Sequence, residues 1–129
     1  MKKILLMLLT TCISTIFSHA QLLPPNQPEQ NSCNALVLCG RSFHSPYAYQ
    51  GIGTSLDLNG SPCGAGEDNA MWMRLDINTP GTIVFTIAPV IPQDDYDFLV
   101  VNMTGKACDA ITPNDVIRCN LIVISLVLM

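Results

Sequence analysis

The sequence predicts an all-β domain, and three observations carry that expectation. Two runs rich in β-branched and aromatic residues, 82–88 and 96–102, flank a short loop dense in Pro and Asp, and apolar runs bounded by turn residues read as adjacent strands. Residues 70–77 alternate, with Met71, Met73, Leu75 and Ile77 on one face and Trp72, Arg74 and Asp76 on the other, the period of a half-buried strand. Beyond residue 20 no segment sustains the period of about 3.6 residues that marks an amphipathic helix.

Taken in order, residues 1–20 have the parts of a secretory signal: Lys2 and Lys3, an apolar middle, then Ser18, His19 and Ala20 as a small-residue cleavage site. Thr10, Thr11 and Ser14 interrupt the apolar run, which falls short of the roughly 20 residues of a membrane span. Acylation at Cys12 is the competing expectation, and Thr11 fits it poorly. Residues 21–32, with Pro24, Pro25 and Pro28 among Asn, Gln and Glu, read as a flexible linker that buries almost nothing. Residues 33–120 form the domain. Within it, 35–38 is the candidate first strand, 43–53 a loop leading into an irregular strand, and 63–69 a loop without β character. Asn59, Gly60, Ser61 and Pro62 make turn dipeptides. Thr79, Pro80 and Gly81 suit a type II turn, which would fold 70–77 and 82–88 into an antiparallel hairpin. The run 96–102 is apolar on both faces, as a central strand would be, and 116–119 is a further short strand. The tail, 121–129, is almost wholly apolar; it is either a last strand or sequence foreign to the fold.

Composition bounds the function. Cleavage after Ala20 leaves Arg41, Arg74, Lys106 and Arg118 against ten carboxylates, a balance of −6 with His neutral. Such a surface repels phosphate backbones and excludes nucleic acid as a partner. It also leaves no transmembrane segment after the signal. Five cysteines remain, Cys33, Cys39, Cys63, Cys108 and Cys119. In an exported chain they predict a disulfide framework rather than a zinc site, since no Cys-x-x-Cys occurs and His44 is the one histidine of the mature part. Cys108 and Cys119 flank a short polar loop and are the expected pair. The pairing among Cys33, Cys39 and Cys63 stays open, and an odd count leaves one thiol over.

The order of motifs between 63 and 120 carries a resemblance. Asn69-Ala70-Met71-Trp72-Met73-Arg74-Leu75 is followed by Thr79-Pro80-Gly81-Thr82-Ile83-Val84-Phe85-Thr86-Ile87. Then come Asp94-Asp95-Tyr96-Asp97-Phe98, Thr104-Gly105 with Cys108, and Val116-Ile117-Arg118-Cys119-Asn120. This series resembles an N-terminal β-sandwich module of large secreted or surface proteins of gliding, Bacteroidetes-type bacteria, associated with type IX secretion or gliding motility. More distantly it is similar to the bacterial pre-peptidase C-terminal domain. The resemblance implies an antiparallel, jelly-roll-like sandwich, secreted or at the cell surface, serving adhesion, recognition or spacing. In that family the Cys-Asn step leads into a Gly-rich loop and two closing strands. Here residues 121–129 follow instead, which implies a sandwich incomplete at its C-terminal end.

The candidate sites are few. Asp94, Asp95 and Asp97 form a candidate calcium site, with Glu67 or Asp68 as further ligands, because Ca²⁺ takes six to eight hard oxygens in irregular geometry. The alternative is a charged sheet edge that blocks edge-to-edge pairing. Ca²⁺ aside, no cofactor is expected. Asp57-x-Asn59-Gly60 places its Gly too early for an EF-hand and reads as a turn. Neighbours such as Asp94 and Asp95 point to opposite faces of a strand and make a poor glycosidase pair. His44 has no nucleophile motif beside it. Phe43, Tyr47 and Tyr49 are a candidate aromatic platform for a glycan, set against the commoner role of filling a small core. Trp72 is expected to pack under a loop, and Asn102-Met103-Thr104 is a sequon without meaning in a bacterial chain. The expectation is a non-catalytic extracellular module meeting a protein or glycan. The alternatives are an accessory domain of a secreted hydrolase and a non-functional truncated fragment.

Overall fold

The computed structural model describes residues 21–58, 60, 63 and 66–120. The signal with Cys12, the tail 121–129 and the turn residues Asn59, Ser61 and Pro62 lie outside the described residues. The fold is non-helical: short strands and coil, with three single-turn 3₁₀ helices at Pro28–Gln30, Ser32–Asn34 and Pro113–Asp115. Its strands are β1 (Gln21–Leu22), β2 (Leu36–Val37), β3 (Tyr47–Ala48), β4 (Met73–Arg74), β5 (Phe98–Val101) and β6 (Val116–Asn120). They associate as three two-stranded ribbons, β1 with β3, β2 with β4, and β5 with β6.

The β5–β6 ribbon forms where the sequence places two strands. It is antiparallel, with Phe98 opposite Asn120, Leu99 opposite Cys119 and Val100 opposite Arg118. The register then shifts so that Val101 faces Val116. The extra residue, Ile117, makes a bulge of the kind that bends a ribbon and ends its pairing. Its loop is held by Asp115, which accepts from Thr112 N at 2.9 Å and Thr112 Oγ1 at 2.7 Å, and pairs with Lys106 Nζ. Pro113 begins that 3₁₀ turn, where its missing N–H costs nothing.

Elsewhere the structure corrects the expectations. Residues 21–32 are no flexible linker. β1 pairs in parallel with β3, and Gln30 and Asn31 are among the most buried side chains. Pro28 begins the first 3₁₀ turn, and the side-chain amides of Gln30 and Asn31 find partners at Gly51, Thr54 and Ser55. The predicted hairpin of 70–77 with 82–88 is absent. Met73–Arg74 pairs instead with Leu36–Val37, in parallel, through Leu36 N to Trp72 O and Leu38 N to Arg74 O, both 2.9 Å. Gly81 does not take the positive φ that a type II turn requires, so the expected hairpin turn is not formed. The run 82–88 is exposed and carries no strand. The 96–102 segment is one edge of a two-stranded ribbon rather than a central strand.

Two disulfides close the molecule, Cys33–Cys108 and Cys63–Cys119. The expected Cys108–Cys119 pair is therefore not formed. Polar contacts of Asp115 close that short loop, which frees both cysteines for distant partners. The bridges span 75 and 56 residues, and loops of that size give about 4 kcal/mol each in the chain-entropy model. Cys39 is exposed and unpaired among the described residues. These bridges matter because the apolar core is small. Leu58 is the one fully buried hydrophobic side chain among the described residues.

Candidate functional site

Two regions concentrate the chemistry of the chain. The first is a polar hub around Leu58. Asn31 Oδ1 accepts four hydrogen bonds, from the backbone N and hydroxyl of Thr54 (3.1 and 3.0 Å) and from the same groups of Ser55 (3.2 Å each). Its Nδ2 donates to Pro28 O. Gln30 Nε2 donates to Gly51 O at 2.9 Å, while Gln30 Oε1 accepts from Gln27 N. Asp57 Oδ2 accepts from Ser32 N at 2.6 Å. Glu67, 5% exposed, accepts the backbone N–H groups of Asp57 and Leu58 at 2.8 Å each. Every arm of the hub is a side chain satisfying the backbone of an irregular loop, which is how buried coil escapes unpaired polar groups. Gly53 fits it closely: at φ +80°, its Cβ would stand 3.0 Å from Asn31 Oδ1 and Gln30 O.

The hub carries its own electrostatics. Burial pushes the Glu67 carboxyl above the usual carboxylate range, and the nearby Asp57 adds to that, while the two backbone N–H groups pull it down. Tyr49 Oη donates to Glu29 Oε1 at 2.8 Å. Burial first, then that carboxylate, pushes the Tyr49 phenol up to about 12. In the loop before β6, Lys106 first and then Thr112 pull Asp115 down to about 2. These groups hold loops together: Glu67 is held by backbone N–H groups, Asp115 by Thr112 and Lys106, and Tyr49 by Glu29.

The second region is an open trough of about 990 Å³. Ile83, Phe85 and Ile87 line it together with Tyr96, Phe98 of β5 and Arg118 of β6. The Phe85 and Phe98 rings meet edge to face at 5.2 Å between centroids. The adjacent Val84 is 85% exposed. Asp94 and Asp95 line the same trough, as do Gln93 and Asn120, so its wall is part apolar and part polar, with charge of both signs. No His, Ser or Cys lines it. The groups present can bind an apolar or amphipathic surface.

The other expected site residues are scattered. Among the described residues no three or more His, Cys, Asp or Glu side chains gather as a metal site would require, Asp94, Asp95 and Asp97 included. Glu67 turns into the hub rather than toward them. Phe43 and Tyr47 are about half exposed rather than core, and Tyr49 is held against Glu29. His44 is exposed in its loop. Trp72 is half-buried, and its Nε1 is shut off from solvent without an acceptor. The residues that sequence analysis missed are Gln30, Asn31 and Asp115. Signals existed in the Gln27-Pro28-Glu29-Gln30 and Thr112-Pro113-Asn114-Asp115 spacings, both of which close capping boxes. No protein-family model, curated protein or solved structure matches this chain.

Proposed function

We propose that this chain is a non-catalytic extracellular module, a recognition or spacer unit of a secreted or cell-surface protein. The observation that carries the proposal is the open trough beside β5 and β6 with the exposed apolar run Ile83, Val84, Phe85 and Ile87 along it, held on a scaffold closed by two disulfides. Contiguous exposed apolar surface on a small domain marks a contact site. The cystines favour an oxidising compartment, and among the described residues no helix is long and apolar enough to cross a membrane. The expected β-sandwich is then an open one, with the β5–β6 ribbon as a paired edge and the strandless 82–88 run lying along it as surface, touching it through Phe85 and Phe98. The partner is an extracellular protein or glycan that presents an apolar face, and cation groups on it would meet Asp94 and Asp95.

The test is retention of defined ligands by the oxidised, immobilised chain, using a panel of polysaccharides and purified extracellular matrix proteins. Stoichiometric binding that falls at least tenfold in Phe85→Ser supports the proposal. Catalytic turnover of peptide, ester or glycoside substrates, abolished by one substitution, would overturn it.

A further inference from the structure

The two cystines differ in both position and access. Cys33 stands in the 3₁₀ turn Ser32–Asn34 and Cys108 in the loop before β6, and both residues are exposed. Cys63 precedes Glu67, Cys119 lies within β6, and both are half-buried. The pairing interleaves, first with third and second with fourth, so neither bridge encloses the other. Each ties the N-terminal hub to the C-terminal ribbon.

Among the described residues, the bonds that build the hub and those that build the ribbon each run within their own part of the chain. The bonds of the hub named above run among residues 27–67, and the β2–β4 bonds among 36–74. Those of the ribbon and its loop run among 98–120. Ser32 Oγ crosses between the two, donating to Cys108 O at 2.7 Å, right beside the first cystine. Little apolar burial joins them, since Leu58 is the one fully buried hydrophobic residue described.

From this placement we infer a two-step redox clamp: Cys33–Cys108 is an accessible latch, Cys63–Cys119 is an inner tether, and a dithiol reductant opens them in that order, releasing the β5–β6 ribbon from the hub. The chemistry is ordinary exchange. One thiolate of the dithiol attacks a latch sulfur and expels the other as a cysteine thiolate. The second thiol of the reductant then displaces the remaining cysteine and closes a cyclic disulfide. Two electrons and two protons pass from the dithiol to each cystine, leaving two thiols. Access of the attacking thiolate governs the order. The ribbon stays tethered through Cys63–Cys119 after the first step and is freed by the second. The chain thus assembles fully only where it is oxidised and opens by stages where dithiols are present.

The experiment uses the full exported chain, oxidised, titrated with dithiothreitol and quenched with an alkylating agent. Peptide mass spectrometry reads which cysteines are labelled, and hydrogen exchange reads residues 98–120 against 27–58. Cys33 and Cys108 should label before Cys63 and Cys119. Amide protection over 98–120 should fall about tenfold or more once both bridges are open, with a rise in hydrodynamic radius. Cys39→Ser should leave the order and the opening unchanged. Labelling in the reverse order, or a fully reduced chain with unaltered radius and ribbon protection, overturns the clamp. A response lost in Cys39→Ser overturns it as well, because the exchange would then run through that thiol.

Discussion

At the scale of single residues, the stability of this chain rests on side chains that serve backbone groups. Asn31 is the clearest case, with four donors converging on one oxygen. Asn31→Ala leaves the Thr54 and Ser55 backbone N–H groups without that acceptor. It should cost about 2–3 kcal/mol, at about 1–1.5 kcal/mol for each stranded donor, measured by urea denaturation. Gly53→Ala meets the same oxygen from the other side. The positive φ alone costs about 1–2 kcal/mol, and the 3.0 Å approach to Gln30 O adds to it. Acid acts on Asp115 and Glu67 with opposite signs. Asp115 titrates near 2 when folded, below its ordinary 3.8. Its stabilisation is therefore present above about pH 4 and is lost as pH falls through about 2. The folded pKa of Glu67 is raised, so its contribution favours the fold below its ordinary 4.5 and fades as pH rises through the folded value. Lys106→Met should accordingly weaken the acid sensitivity contributed by Asp115, visible as a flatter melting-temperature profile between about pH 2 and 4.

Among the elements, the positions of β5 and β6 were legible, while their pairing and the N-terminal ribbons were not, for a physical reason. Residues 96–102 and 116–119 are apolar and β-branched, which marks strands, but nothing local told 116–119 from 82–88 as the partner of 96–102. β1 and β3 are two residues long, and β1 lies in a Pro-rich stretch. Their pairing is decided by Gln50, whose Nε2 reaches Leu23 O at 2.8 Å, and by the hub, none of which leaves a periodic trace. Of the half-buried strand that the alternation of 70–77 predicts, only Met73–Arg74 forms, and it is exposed, because alternation says nothing of the partner or of what covers the apolar face. The aromatic cluster misled for a related reason. Tyr49 is fixed by one hydrogen bond to Glu29 rather than by stacking with Phe43 or Tyr47. Tyr49→Phe removes that tie between the first 3₁₀ turn and the segment after β3, and should cost about 1 kcal/mol. In the native chain one of three tyrosines should ionise near pH 12 by ultraviolet titration. The phenol pKa is raised on folding, so stability is present below about pH 10 and lost as pH rises toward 12.

For the whole molecule, the distribution of apolar surface decides what kind of object this is. Nearly half the residues are hydrophobic, yet Ile77, Ile83, Val84, Phe85, Ile87 and Val90 all stand well exposed. A chain that buries its amides and carboxylates and leaves this run open is held by cystines and polar bonds, with the trough as surface rather than core. The consequence separates stability from association. Val84 is 85% exposed, so Val84→Asp removes little packing and should change the urea midpoint by no more than about 0.5 kcal/mol equivalent. The same charge placed beside an apolar contact surface should repel any partner that covers it. In sedimentation or light scattering, the native chain should show concentration-dependent association that Val84→Asp suppresses. If Val84→Asp instead lowers stability by several kcal/mol while association persists, the 82–88 run belongs to a packed interior, and the trough is not a contact face.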